Sequence, residues 1–371
     1  MNFDLGEEQD VVRALAAQIF EHGATVERVK AAEQGDGFDR ELWRQLADAN
    51  LIGLCLPEAL GGSGMGMVEL VLLLEQQGRR VAPVPLWSTV VLGALAIAEF
   101  GTPEQCATWL PGVISGEVVL SAALAEAGAN DALRPSVVAV PADGGVRLRG
   151  SKPAVPYGQH ARRILMPARR PDGTIVIALV DPTAAGVTRT AITTTNHEPQ
   201  AHLDLDVHID DSDLLGGPQL DSGDALAWLL ERALAGLCAL QLGVAEESLR
   251  ITAEHVSNRI QFGKPLSAFQ AVTQRAADGY ITCEAMRVTT LNAAWRLAEG
   301  IDAAGDVLVA AYWATDGGQE VVTASQHLHG GLGADVDYPV HRYFLWGIQL
   351  ATALGGASAQ LARLGRLIAT A

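Results

Sequence analysis

Arg259-Ile-Gln-Phe-Gly263, followed by Lys264-Pro265 and Phe269-Gln270, sets a cation, a turn glycine and a side-chain amide just past a long apolar helical segment. An arginine at such a helix–turn–helix corner presents a planar, bidentate fork that can reach a phosphate, including one held by a neighbouring chain. About sixty residues later, His327-Leu-His-Gly-Gly-Leu-Gly333 forms a second glycine-rich turn between helical segments. Glycines there permit close backbone approach to a ligand. Both motifs also have plainer readings. Arg259 could form a surface ion pair with Glu254 or an aspartate, and a Gly-Gly-x-Gly turn often serves chain geometry alone.

The elements that must position these residues are mostly helical. From Phe3 to about Gly116, apolar residues recur at helical spacing. Glu7 to His22 carries Val11, Val12, Leu15, Ala16, Ile19 and Phe20; Phe38 to Ala49 carries Leu42, Trp43 and Leu46. Met67 to Gln77 and Leu86 to Phe100 read as two more helices, and Thr102-Pro103 as the capped start of another. Between Glu117 and about Gly217 the pattern changes to short Val-, Ile- and Leu-rich runs at Val118–Leu124, Val146–Leu148, Ile164–Met166, Ile175–Val180 and Leu203–Ile209. From Asp224 helices return. Ala225 to His255 would run ~46 Å at 1.5 Å per residue, apolar on more than one face as far as Leu242. Helices are predicted over Ala268–Ala298, Ala303–His327 and Pro339–Ala369. The domain boundaries that follow are 1–116 (helical), 117–218 (β-barrel-like) and 219–371 (helical bundle).

Composition narrows the function. Lys plus Arg total 26 against 43 Asp plus Glu, a formal charge of −17. That balance disfavours nucleic acid and anionic membrane surfaces, which need a basic face, but leaves room for a local basic pocket. Cys55, Cys106, Cys238 and Cys283 are scattered among apolar residues and read as buried free thiols of a reducing cytoplasm. No metal-ligand spacing is present. The N-terminus lacks a basic then apolar stretch, so no signal peptide is expected, and charges break every long apolar run, so no membrane span is expected.

The order helical, β, helical, with four long helices at the end, resembles the acyl-CoA dehydrogenase family over essentially the whole chain. Leu56-Pro-Glu-Ala-Leu-Gly-Gly-Ser-Gly64, Phe100-Gly-Thr-Pro-Glu104, Arg259–Gly263 and His329-Gly-Gly-Leu-Gly333 are similar to four family motifs in the right order. The resemblance implies a mixed, mainly α fold: an N-terminal helical domain, a middle β domain and a C-terminal four-helix bundle. It also implies FAD, an acyl-CoA substrate and an electron-transfer flavoprotein as acceptor. The cofactor would supply the redox chemistry and the protein the positioning. By that analogy Arg259 contacts the pyrophosphate of a flavin bound mainly to the adjoining subunit. Gln270 and the Gly330-Gly331 backbone hold its adenosine end, and Gln261, Phe262, His327 and Gly333 complete the cofactor-binding set.

The chain departs from the family where chemistry is done. The family's proton-abstracting glutamate, in a Tyr-Glu-Gly triplet, falls on Leu354 within Ala353-Leu354-Gly355. The alternative position on the long helix is Ala233. Glu231 lies two residues away, roughly 200° round the helix, and is the one displaced base to consider. Ala125-Glu-Ala-Gly128 stands where a threonine would hydrogen-bond the flavin ring. Ala154-Val-Pro156, after Gly150-Ser-Lys152, replaces a tryptophan platform and a second hydroxyl. Such donors stabilise charge on the reduced ring. His327 replaces a glutamine. The losses fall where a subunit holds its own flavin ring, and the retained residues where it clasps a neighbour's. This division resembles the partner (beta) subunits of actinobacterial heteromeric dehydrogenases acting on steroid side-chain CoA thioesters, with Arg342-Tyr-Phe344, Ala353-Leu-Gly-Gly356 and Phe38–Trp43 closest to that subgroup. The resemblance implies an α2β2 heterotetramer with a homologous catalytic subunit, in the cytoplasm. A self-sufficient homotetramer using Glu231, and a flavin-dependent monooxygenase or oxidase on the same fold, remain alternatives.

Overall fold

The computed structural model describes residues 5–128 and 131–370; the Met1–Asp4 segment, and with it the expected start at Phe3, lies outside them. By contacts the chain forms two compact units. One comprises residues up to Ala31, Met67–Ala82 and the chain from Leu234; the other comprises Ala32–Gly66 and Pro83–Ala233.

The helices before the sheet are α1 (Glu7–Gly23), α2 (Val26–Gln34), α3 (Arg40–Asp48), α4 (Met67–Arg79), a wide π-helical segment Trp87–Ala94 running into α5 (Leu95–Phe100), and α6 (Pro103–Ile114). Caps place several of these ends. The Asp39 carboxylate accepts from Leu42 N at 2.9 Å. Thr102 and Gln105 form a reciprocal capping box ahead of α6, with Pro103 at its first position.

Seven strands follow: β1 (Leu120–Ala122), β2 (Val138–Ala142), β3 (Gly145–Val155), β4 (Arg163–Arg169), β5 (Ile175–Val180), β6 (Val187–Thr193) and β7 (Pro199–Asp210). They make one sheet in the order β1-β4-β2-β3-β7-β6, with β5 also on β4. β4 runs parallel to β1 and β2, and the remaining pairs are antiparallel. Along β7 the alternation written in the sequence is the burial seen. Leu203, Leu205, Val207 and Ile209 are buried, while Asp204, Asp206 and His208 face solvent. The inward side chains pack with Val137, Leu148, Val155, Ile164 and Val180, each contributing about 2 kcal/mol of apolar burial. β2 and β6 were not predicted; β6 is largely exposed, so no apolar run marked it.

The remaining elements are α7 (Gly223–Asn258), a short hairpin of β8 (Ile260–Gln261) and β9 (Lys264–Pro265), α8 (Gln270–Ala298), α9 (Ala304–Tyr312), a π-helical turn Trp313–Gly317, α10 (Gly318–His329), α11 (Val340–Thr352) and α12 (Gly356–Thr370). By length and composition alone α7 could cross a membrane, but 78% of its most apolar window is buried in the protein, as in an enclosed core helix. Close packing of α4 on α7 rests on two glycines. A Cβ on Gly78 would lie 2.1 Å from Leu240 O, and one on Gly243 would lie 2.0 Å from Glu75 O. Across the same contact the buried Glu246 carboxylate meets the Arg79 and Arg287 guanidiniums, and Arg79 also reaches Glu75 at 3.1 Å. One sequence expectation needs correction: the single helix over Pro339–Ala369 is broken at Ala353–Gly355, where Leu354 takes the left-handed conformation (φ 52°, ψ 26°) and Gly355 and Gly356 continue at positive φ. Of the four thiols, Cys238 and Cys283 are buried and Cys55 and Cys106 only partly so.

Candidate functional site

α7 ends at Asn258 and delivers Arg259 to the surface. The chain then reverses through the β8–β9 hairpin, whose two turn residues, Phe262 and Gly263, have φ of 52° and 79°. Positive φ at both positions is the type I′ pattern, the two-residue turn that matches strand twist. Leu266 N closes the corner on Arg259 O at 2.9 Å. Phe269 follows, with the Lys264 ammonium 4.2 Å above its ring, and Gln270 is the first residue of α8. Gln261, Phe262 and Gln270 are all exposed, Phe262 to 91%.

The glycine turn meets this corner through two ring contacts within the same compact unit. His255, one turn before Arg259, stacks on His329 with ring centroids 4.3 Å apart and planes 25° apart. Arg275, in the second turn of α8, donates to His327 Nδ1 at 3.1 Å. His329 donates from Nδ1 to Ser325 O at 2.8 Å and accepts at Nε2 from the Tyr338 hydroxyl at 3.3 Å. Burial holds both stacked imidazoles below the ordinary histidine value, and for His255 the His329 ring and Arg259 add to that effect. They therefore pack as neutral rings at pH 7. The two motifs, separate in sequence, are one surface.

Arg259 itself opens onto a cleft of about 650 Å³ lined also by Arg80, Arg250, Glu254, His255 and Tyr338. Among the described residues no carboxylate pairs with its guanidinium. Glu254, the partner considered from sequence, is taken by Arg250 at 3.3 Å. Arg80 is held by Glu21 and Arg250 by Glu247 and Glu254, so the exposed Arg259 fork is the group that suits a diphosphate here. The glycines fit a dinucleotide too. Gly330 has φ 59° and ψ −136°, a conformation nearly reserved for glycine. Around Gly330 and Gly331 an added Cβ would meet nothing within 4 Å, so the turn presents open backbone. Gly333 differs: its Cβ would lie 2.4 Å from Gln326 O, and packing alone accounts for it.

Of the three positions considered for a base, Leu354 and Ala233 carry apolar side chains and Glu231 a carboxylate. Leu354 sits at the α11–α12 corner, its carbonyl accepting from Gln360 Nε2 at 3.1 Å. A residual gap of about 10 Å³ lined by Leu234, Leu237, Cys238, Gln241, Leu350 and Ala353 is at the lower limit for a single water. Ala233 is fully buried, and its carbonyl accepts from Trp87 Nε1 at 3.0 Å. Glu231 is half-buried beside Arg232, whose guanidinium stacks 3.6 Å over Trp228. The β3–β7 register shifts between Lys152 and Val155, so Ala154 sits on a bulge, a device that re-aims side chains. Sequence reasoning assigned no role to Lys152 and Glu126. In the structure they form a fully buried ion pair, with Ser136 Oγ donating to the same carboxylate at 2.5 Å. The signal available was the survival of both charges inside motifs otherwise changed.

Comparison with known proteins bears on this architecture. The acyl-CoA dehydrogenase N-terminal domain matches residues 6–117 and the acyl-CoA dehydrogenase C-terminal domain matches residues 224–366. Acyl-CoA dehydrogenase FadE27 of Mycobacterium tuberculosis is 41% identical over 344 residues, covering 90% of this chain and 89% of its own. A variant of the Tcur3481–Tcur3483 steroid ACAD superposes with a TM-score of 0.92 at 48% identity, covering 99% of each chain. The ChsE4–ChsE5 complex from Mycobacterium tuberculosis superposes at 0.94 with 39% identity, covering 100% of each. With both family domains matched in order around the same sheet, this chain belongs to the acyl-CoA dehydrogenase family of oxidoreductases.

Proposed function

We propose that this chain is the partner subunit of a heteromeric, FAD-dependent acyl-CoA dehydrogenase, contributing flavin contacts across a subunit interface to chemistry that a homologous subunit completes. The observation that carries the reading is the unneutralised Arg259 corner joined to the open Gly330-Gly331 turn, in a chain whose base positions are Leu354 and Ala233. When bound, FAD supplies the hydride-accepting ring. This chain's residues hold. The Arg259 fork opposes the pyrophosphate charge, the open glycine backbone lets the adenosine half approach, and Gln270 offers an amide at the helix start. With leucine and alanine at both base positions, the α-proton of the thioester passes to a carboxylate of the other subunit. Two of the similar structures are named as pairs, and one as a steroid ACAD. They support an α2β2 assembly and a steroid side-chain CoA thioester as substrate class. An electron-transfer flavoprotein as acceptor and a cytoplasmic location complete the proposal.

The test is native mass and flavin count of the complex isolated through a tag on this chain, beside the chain purified alone. One FAD per two chains, with no acyl-CoA oxidation by the lone chain, is the expected result. Arg259→Ala should lower flavin retention by the complex. Stoichiometric flavin and robust turnover by the lone chain would overturn the proposal.

A further inference from the structure

Arg275 has carboxylates within its surroundings but is not paired with one. It lines a groove of about 470 Å³ together with Asp278, Asp316 and Glu320. Among the described residues none of these acids forms an ion pair with it. Its Nη1 instead lies 3.1 Å from His327 Nδ1. A guanidinium carries five N–H donors and no acceptor, so Arg275 can only donate here. His327 Nδ1 must then be the unprotonated ring nitrogen, which leaves the single proton of the neutral ring on Nε2. The two nitrogens face different directions, so the exposed ring turns an N–H donor away from α8. The ring stands three residues before Gly330 and four before Gly331, where the backbone is open.

We propose that Arg275 is a positioning residue for the flavin dinucleotide. By donating to Nδ1 it fixes His327 as an Nε2–H donor toward an acceptor atom on the adenosine half of the cofactor. This rests on the reading that the Arg259 corner clasps FAD, and adds to it a second residue and a proton state. A glutamine at position 327 would offer its own amide N–H without any such help. Histidine has two neutral tautomers, only one of which presents the donor, and Arg275 selects it. No bond to the cofactor is made by Arg275 itself.

A mutant cycle on the complex tests this, read as FAD affinity on reconstitution of the flavin-stripped complex. Arg275→Met keeps the length of the side chain and loses the donor. With both tautomers populated only the donor-presenting fraction of His327 binds, so this change should weaken FAD binding about twofold beside His327 and leave it unaltered in a His327→Gln background. Arg275→Lys keeps a donor and should stay close to wild type, which controls for misfolding. Ring ¹⁵N shifts of His327 in the flavin-free complex give a readout independent of binding. Nδ1 should be pyridine-like and Nε2 protonated in the wild type, with both tautomers populated in Arg275→Met. An equal loss in both backgrounds, no loss in either, or a protonated Nδ1 in the wild type would overturn the inference. Arg259→Ala run in parallel separates the levels. If it leaves FAD affinity unchanged, the clasp itself fails and this inference with it. If it weakens FAD while the Arg275 cycle shows no coupling, only this inference fails.

Discussion

His255 and His329 are the residues at which proton concentration should act on the site. Both imidazoles lie below the ordinary histidine value, mainly through burial. The unfolded chain therefore takes up protons first as pH falls. The stability they contribute is fully present above the unfolded value near ~6.5 and is lost as pH drops through their folded values. Protonation would also place two cations face to face at 4.3 Å, with Arg259 nearby. The wild type should thus lose more thermal stability between pH 7.5 and pH 5.5 than His255→Phe, which keeps a stacked ring that cannot titrate; equal pH dependence in the two would refute this. At this scale the sequence was uneven as a guide. Arg259 was legible because its neighbours form a local pattern. The Arg275–His327 contact spans 52 positions and joins two residues that no periodicity connects. The Lys152–Glu126 pair was hidden for the same reason.

The β8–β9 hairpin carries strain and exposed apolar surface in the same few residues. Its turn uses Phe262 at φ 52°, where an L-residue with a Cβ is disfavoured by roughly 1–2 kcal/mol and asparagine or glycine is the usual choice. Phe262 gains little burial in return, since 91% of it is exposed and, among the described residues, its ring neighbour is Phe269, edge-on at 6.2 Å. Ile260 beside it is 61% exposed. Phe262→Asn should therefore stabilise the lone chain by about 1 kcal/mol, measured by urea denaturation, while lowering flavin retention by the complex. Lower stability of the lone chain would show that Phe262 packs internally. Element boundaries were otherwise largely legible: the α1, α3, α4, α7 and α8 segments announce themselves by apolar spacing and caps. The exceptions have physical causes. α2 carries only one buried residue, Val29, so it lacks an apolar stripe. The break between α11 and α12 was signalled by Gly355-Gly356, but an apolar run on both sides disguised it.

At the scale of the molecule, the unit that carries the Arg259 corner depends on how closely α4 lies on α7. Gly78 and Gly243 face each other's helix backbones, and a Cβ on either would sit within about 2 Å of a carbonyl oxygen, a main-chain atom that cannot swing aside. The helices would have to separate. That separation would also lengthen the buried contacts of Glu246 with Arg79 and Arg287, and a buried carboxylate deprived of its guanidiniums is costly. The Glu246 carboxyl is already pushed up to about 7 by burial and the nearby Glu75, against the opposing pull of the two arginines. Gly243→Ala should therefore lower unfolding stability by about 3 kcal/mol, the upper end of ordinary overpacking, and Gly78→Ala by a similar amount. Both changes act on one interface, so their effects should not add. Once the first methyl has moved the helices apart, the second finds part of its space already made, and the double variant should be more stable than the sum of the single losses implies. Denaturant unfolding of the four proteins measures this. Simple additivity would mean that each glycine strains its surroundings locally and that α4 and α7 do not move as rigid bodies.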